Sequence, residues 1–112
     1  MSKTSVHDVT QIIIGQIGRI NVLAISGGRW SRLLDAEKIA PVGAVLPVSN
    51  GYTVEVELDR ASDTYTVRRV FSRGGKRWVK GEVTNVYCDE VGEIAYIASC
   101  FRSYDFGEEV AK

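Results

Sequence analysis

Hydrophobic positions along the chain recur at two spacings, and the change of spacing marks out the elements. Val6, Val9, Ile13 and Ile17 fall at three- and four-residue steps, which places them on one face of a first helix over residues 5–18. Ser5 followed by Asp8 gives that helix a capping-box-like start, and Gly18 gives it a stop. Gly15 inside it costs about 1 kcal/mol relative to Ala and marks either close packing or fraying. The run INVLAIS, residues 20–26, is apolar on both alternating faces except at Asn21, and is predicted as a strand covered on both sides. GGRW follows as a turn. Residues 31–42 show no clean period, and Pro41 stops any short helix there.

Period-two alternation dominates the middle of the chain. Residues 43–47 read as a short strand, SNG as a hairpin turn, and YTVEVELD (52–59) as a strand of strict alternation. After RASD come TYTVRRVF, a Gly74-Gly75 turn and KRWVKGEVTNVY. The helical period then returns. Val91, Ile94, Ala95, Ala98 and Phe101 share a face, Asp89 is the expected N-cap, and Glu90 and Glu93 complement the first-turn dipole. An acidic tail, about residues 104–112, ends the chain, with Tyr104 or Phe106 returning to the core. The order predicts a single α+β domain over residues 1–112: an antiparallel sheet of about four or five strands, with an N-terminal and a C-terminal helix packed on one face.

The orientation of the strands follows from charge. Val54, Val56 and Leu58 lie on one face of their strand and Glu55 and Glu57 on the other, so the valine side is the core. A four-residue RASD connection sets Val56 opposite Val67, Leu58 opposite Tyr65 and Glu55 opposite Arg68, with Arg69 and Phe71 on the core side. Two registers are open for the next hairpin. A two-residue Gly74-Gly75 turn pairs Phe71 with Trp78. A three-residue Arg73-Gly74-Gly75 loop pairs Arg69 with Val79 and Tyr65 with Val83, and is preferred because it turns the later valines inward. That register leaves Trp78 on the outer face and an uncompensated basic tip at Arg73, Lys76 and Arg77.

Composition narrows the function classes. Fourteen basic and fourteen acidic residues among 112 give no net charge, which argues against a whole-domain grip on nucleic acid or anionic membrane. No apolar run approaches the ~18 residues of a membrane span, and the N-terminus lacks a signal-peptide core, so a cytoplasmic protein is expected. Cys88 and Cys100 lack metal or redox spacing and read as buried or half-buried fillers.

No catalytic constellation stands out, no metal site is expected, and no cofactor is called for. The one histidine, His7, falls in the first helical turn as a solvated residue. Glu55 and Glu57 could offer paired oxygens to a cation, but no third ligand is indicated. What remains is binding. Arg73, Lys76, Arg77 and Trp78 form one candidate surface, and Arg29 with Trp30 another. Trp and Arg are the usual anchors of protein interfaces, which makes a protein partner the first expectation. Basic residues interleaved with rings also suit unstacked bases, which makes weak nucleic-acid binding the alternative.

Three short matches carry a resemblance. QIGRINVLAISGGRW (16–30) is similar to a Gln-Leu-Gly-like step, apolar strand and Thr-Gly-Ala-Lys-Asn-Phe-like turn; Asp63, Thr64 and Tyr65 match an Asp-Thr-Tyr step; Val86, Tyr87, Cys88 and Asp89 match a Val-Tyr-x-Asp junction before a last helix. In these the chain resembles a family of small phage and mobile-element proteins. Ser26-Gly27-Gly28 and Arg29-Trp30 depart from that family's turn. The resemblance implies a phage or mobile-element setting and a modulator of host or defence proteins. It carries no catalytic residue.

Overall fold

The computed structural model describes residues 9–110, the last three by backbone alone. The expected cap at Ser5 and Asp8, Val6 and His7 lie outside the described residues. Helix α1 (Val9–Ile17) is followed directly by α2 (Arg19–Ser26), then by β1 (Ser31–Leu34), β2 (Pro41–Pro47), β3 (Tyr52–Asp59), β4 (Thr64–Arg73), β5 (Lys76–Val86), α3 (Val91–Ser99) and β6 (Glu108–Val110). The strands form one antiparallel sheet in sequential order, β1 to β6, and the fold is α+β.

The largest correction falls on INVLAIS, which is helical. Its unbroken apolar run fits a buried strand or a helix equally well, because periodicity alone does not separate them. Glycines decide it. Gly18, at φ 94°, ends α1, and the chain leaves at 93° to it; Gly27, at φ 69°, closes α2 with its N–H on the Leu23 carbonyl, and Gly28 bonds Val22. The GGRW glycines thus terminate a helix. Residues 31–34, read as aperiodic, form β1 against β2, and part of the acidic tail adds β6 beside β5. Phe106 returns to the core while Tyr104 stays exposed. The N-cap of α3 is Glu90 rather than Asp89, without a side-chain cap bond.

The core lies between one sheet face and the helices: Ile13, Ile17, Val22, Ile25, Leu46, Val54, Val56, Val67, Val86, Val91 and Ala95 are buried there. α1 is pinned by Thr10, whose hydroxyl donates to the Gly43 carbonyl at 2.6 Å. Gly15 faces open space rather than close packing, so Gly15→Ala is expected to raise stability by about 0.5–1 kcal/mol in urea titrations.

Tyr65 crosses from the sheet to α1, its hydroxyl donating to Gln16 Oε1. Burial raises its pKa above the ordinary 10.0, with the charges of Cys88 and Asp63 acting in the same direction. A raised folded-state pKa means that its contribution is complete below the unfolded value and is lost as pH rises through the folded one. Stability measured from pH 9 to 12 should therefore fall less steeply in Tyr65→Phe than in the parent.

The β3–β4 register matches expectation: Val56 opposite Val67, Leu58 opposite Tyr65 and Glu55 opposite Arg68. The β4–β5 register does not. Gly74 and Gly75, at φ 60° and 80°, form a two-residue turn, so Phe71 pairs with Trp78 and Ser72 with Arg77. A bulge at Lys80 then shifts the strand, giving Arg69 opposite Gly81, Arg68 opposite Glu82 and Val67 opposite Val83; a second follows before Val86. The preferred three-residue loop assumed unbroken alternation. A bulge satisfies both demands, a tight Gly-Gly turn at the tip and inward valines further along. It also puts Val70 and Val79 on the outer face, where both are buried.

Candidate functional site

The outer face carries a charge network. Arg68 reaches Glu82 at 2.7 Å and Glu57 at 2.8 Å and lies 3.7 Å from Glu55, while Arg77 bonds Glu55 at 2.5 Å. The Arg68 pKa is raised: burial works against its charge, but bonds and charges from Glu57 and Glu82 outweigh that. These groups, with Leu33, Leu34, Val42 and Val79, line a cleft of about 400 Å³. Glu55 is 7% exposed and is reached by Arg68 of β4 and by Arg77 of β5 beyond it, so it belongs to a partly buried network that ties three strands together rather than to a solvated face. Arg77 is consequently not part of an uncompensated tip.

Across the sheet, Arg69 is 6% exposed; its Nε donates to the Ala98 carbonyl at 2.7 Å and its Nη2 to the Ile97 carbonyl at 3.2 Å, with the guanidinium 5.5 Å from the Phe106 ring. α3 has no basic residue in its last turn, so β4 supplies the cation that its C-terminal carbonyls favour. Burial lowers the Arg69 pKa. Gly81 leaves room for this arrangement, since a Cβ there would lie 1.7 Å from the Phe106 carbonyl oxygen.

Beyond Arg69, at the hairpin end, aromatic rings form a row on the same face. Phe101 stacks on Tyr52 at 4.1 Å, Tyr52 contacts Phe71 at 5.1 Å, and Phe71 contacts Trp78 at 5.6 Å. All four rings are half-buried. Arg102 lies 5.4 Å from the Phe101 ring, and Arg73 and Lys76 are exposed beyond Trp78. Arg73 and Lys76 are direct cross-strand partners, a like-charge pairing that opposes hairpin closure.

Trp78 is thus on the helix-covered side, opposite Phe71, instead of on the outer face. The structure brings Arg73, Lys76 and Trp78 together, turns Arg77 away to Glu55, and adds Tyr52, Phe71, Phe101 and Arg102, which sequence reasoning missed. The Tyr52 and Phe71 part was within reach, because the β3–β4 register already set them opposite each other. Arg29 and Trp30 form a separate place, beside β1 and three strands away, on the order of 15 Å across the sheet at ~4.8 Å per strand. Trp30 packs on the core with Arg32 6.0 Å above its ring, and Arg29 Nε donates to the Ser26 carbonyl.

Cys100 is half-buried as expected, whereas Cys88 is exposed; both are free thiols. Among the described residues no group of three or more His, Cys, Asp or Glu is placed to hold a metal ion. No single described helix is long and apolar enough to cross a membrane. No family model matches this chain, no curated protein matches it, and no solved structure matches it. The class is therefore stated by architecture: a six-stranded antiparallel sheet carrying helices on one face and a glycine-turned hairpin that extends an aromatic row.

Proposed function

We propose that this is a non-enzymatic accessory protein of phage or mobile-element origin that binds and modulates a host or defence protein in the cytoplasm, using the β4–β5 hairpin end. One observation carries the reading: Arg73 and Lys76 face each other at the open end of a half-buried aromatic row. A like-charge cross-strand pair costs stability in the free chain and is relieved by an acidic partner surface. Half-buried Trp and Tyr beside Arg is the composition of an interface hot spot, in which rings supply contact area and cations supply orientation. The resemblance to small phage and mobile-element proteins supports the setting.

Affinity capture from a host lysate tests it. A bound partner should lose at least tenfold in affinity with Arg73→Glu/Lys76→Glu, a change at exposed positions that replaces one like-charge cross-strand pair by another and should leave the unfolding midpoint unchanged. Unaltered capture by that variant would refute a hairpin-end interface.

The same rings and cations favour weak nucleic-acid binding as a second reading, because bases stack on aromatic faces. It predicts quenching of Trp fluorescence by single-stranded DNA or RNA at low salt, with about two or three phosphate contacts in the salt dependence. The two readings separate cleanly, since only the first survives at physiological salt.

A further inference from the structure

α2 is apolar nearly all the way round. Val22, Ile25 and Ser26 face the core, yet on the other side Ile20 is 82% exposed and Leu23 52% exposed. A helix with apolar residues on every side is normally covered on every side. Between α2 and α1 runs a groove of about 340 Å³, walled by Ile14, Arg19, Leu23 and Trp30, with Gly15 and Gly28 along it. A Cβ at Gly15 would meet nothing within 4 Å, so backbone forms part of an open floor.

The charge around this groove is one-sided. The whole segment from Val9 to Leu34 contains Arg19, Arg29 and Arg32 and not one Asp or Glu, whereas the rest of the chain has 11 basic against 14 acidic residues. Arg19 lines the groove, and Arg32 lies over the Trp30 ring at its end. That bias selects among occupants. A second copy joined about a two-fold axis would set the same arginines against each other. A bilayer takes up a convex apolar face, whereas this one is a trough with a charged wall. A helix carrying apolar residues at three- and four-residue steps, with carboxylates along its flanks, meets both the trough and the arginines.

We infer that the α1–α2 groove is a second docking site, and that its occupant is an acidic amphipathic helix of a partner protein. This inference does not rest on the hairpin end.

The test is selection of a random peptide library, displayed on yeast, against the full-length protein. Enriched peptides should share Leu, Ile, Met or Phe at three- and four-residue spacing and a net negative charge. A synthetic peptide from that pool should bind at least tenfold more weakly to Leu23→Asp, which charges the wall. It should also weaken tenfold with Gly15→Leu, which fills the trough from an exposed helical position without adding charge. Arg73→Glu/Lys76→Glu should leave the affinity unchanged, which keeps failure here distinct from failure at the hairpin end. No enrichment, enrichment of basic peptides, or peptides indifferent to Leu23→Asp and Gly15→Leu would overturn the inference. So would sedimentation with phosphatidylserine vesicles, or a dimer at micromolar concentration, that Leu23→Asp abolishes; these would assign the face to a membrane or to a second copy.

Discussion

Arg69→Ala is expected to lower the unfolding free energy by about 3–5 kcal/mol, the largest loss from any single charged residue in the fold. The guanidinium holds two carbonyls at the end of α3 and stacks near Phe106, so truncation removes three contacts at once. It leaves the Ala98 and Ile97 oxygens without their donor and opens a void in a place where α3, β4 and the Phe106 segment meet. Arg69→Met fills most of that volume and restores no donor, so it should cost about 2–3 kcal/mol. The gap between the two variants therefore measures the cavity, and the residual loss in Arg69→Met measures the unpaired carbonyls. Chemical denaturation at pH 7 reads both. A loss below about 1 kcal/mol for Arg69→Ala would show that this guanidinium does not anchor α3.

Arg68→Gln follows, at about 2–4 kcal/mol at pH 7. Breaking a partly buried ion pair leaves the remaining charge uncompensated, and here three carboxylates converge on one guanidinium. Glutamine keeps a donor but removes the charge, which leaves Arg77 alone to answer Glu55. The double variant Arg68→Gln/Glu82→Gln should recover part of the loss, because removing one carboxylate relieves the repulsion that Arg68→Gln creates. Glu82→Gln alone should be destabilising in the parent background. A change of sign between the two backgrounds is the signature of the network; additive losses would mean that Arg68 acts through packing only.

Both predictions concern residues of one sequence run, RRVFSRGGKRWVK, which holds six positive charges and no negative one. The structure divides five of those charges three ways. Arg68 and Arg77 are spent on carboxylates of the outer face, Arg69 is committed to the end of α3, and Arg73 and Lys76 remain at the tip. The inward placement of Arg69 was legible, because VEVELD fixes its own faces and β4 is registered against it. Its role was not, since nothing local says which helix end will arrive above it.

By itself, the sequence determined the elements whose signal is local. Strict alternation in residues 52–59 specified β3, because a one-residue slip would bury Glu55 and Glu57 on the core side. The RASD and SNG turns set the lengths that register β2, β3 and β4, and the helical spacing of Val91, Ala95 and Ala98 identified α3. Only the tertiary structure decided the rest. INVLAIS took helical form because Gly18 and Gly27 bound it and α1, β2 and α3 cover its inner side, a choice that an all-apolar run does not encode. Trp78 changed faces because a bulge at Lys80 let the Gly-Gly turn and the inner valines each take their own register. The aromatic row and the α1–α2 groove exist only where separate segments meet. Local spacing decides what each segment can be, and the competition for a single core decides which side of it is left for a partner.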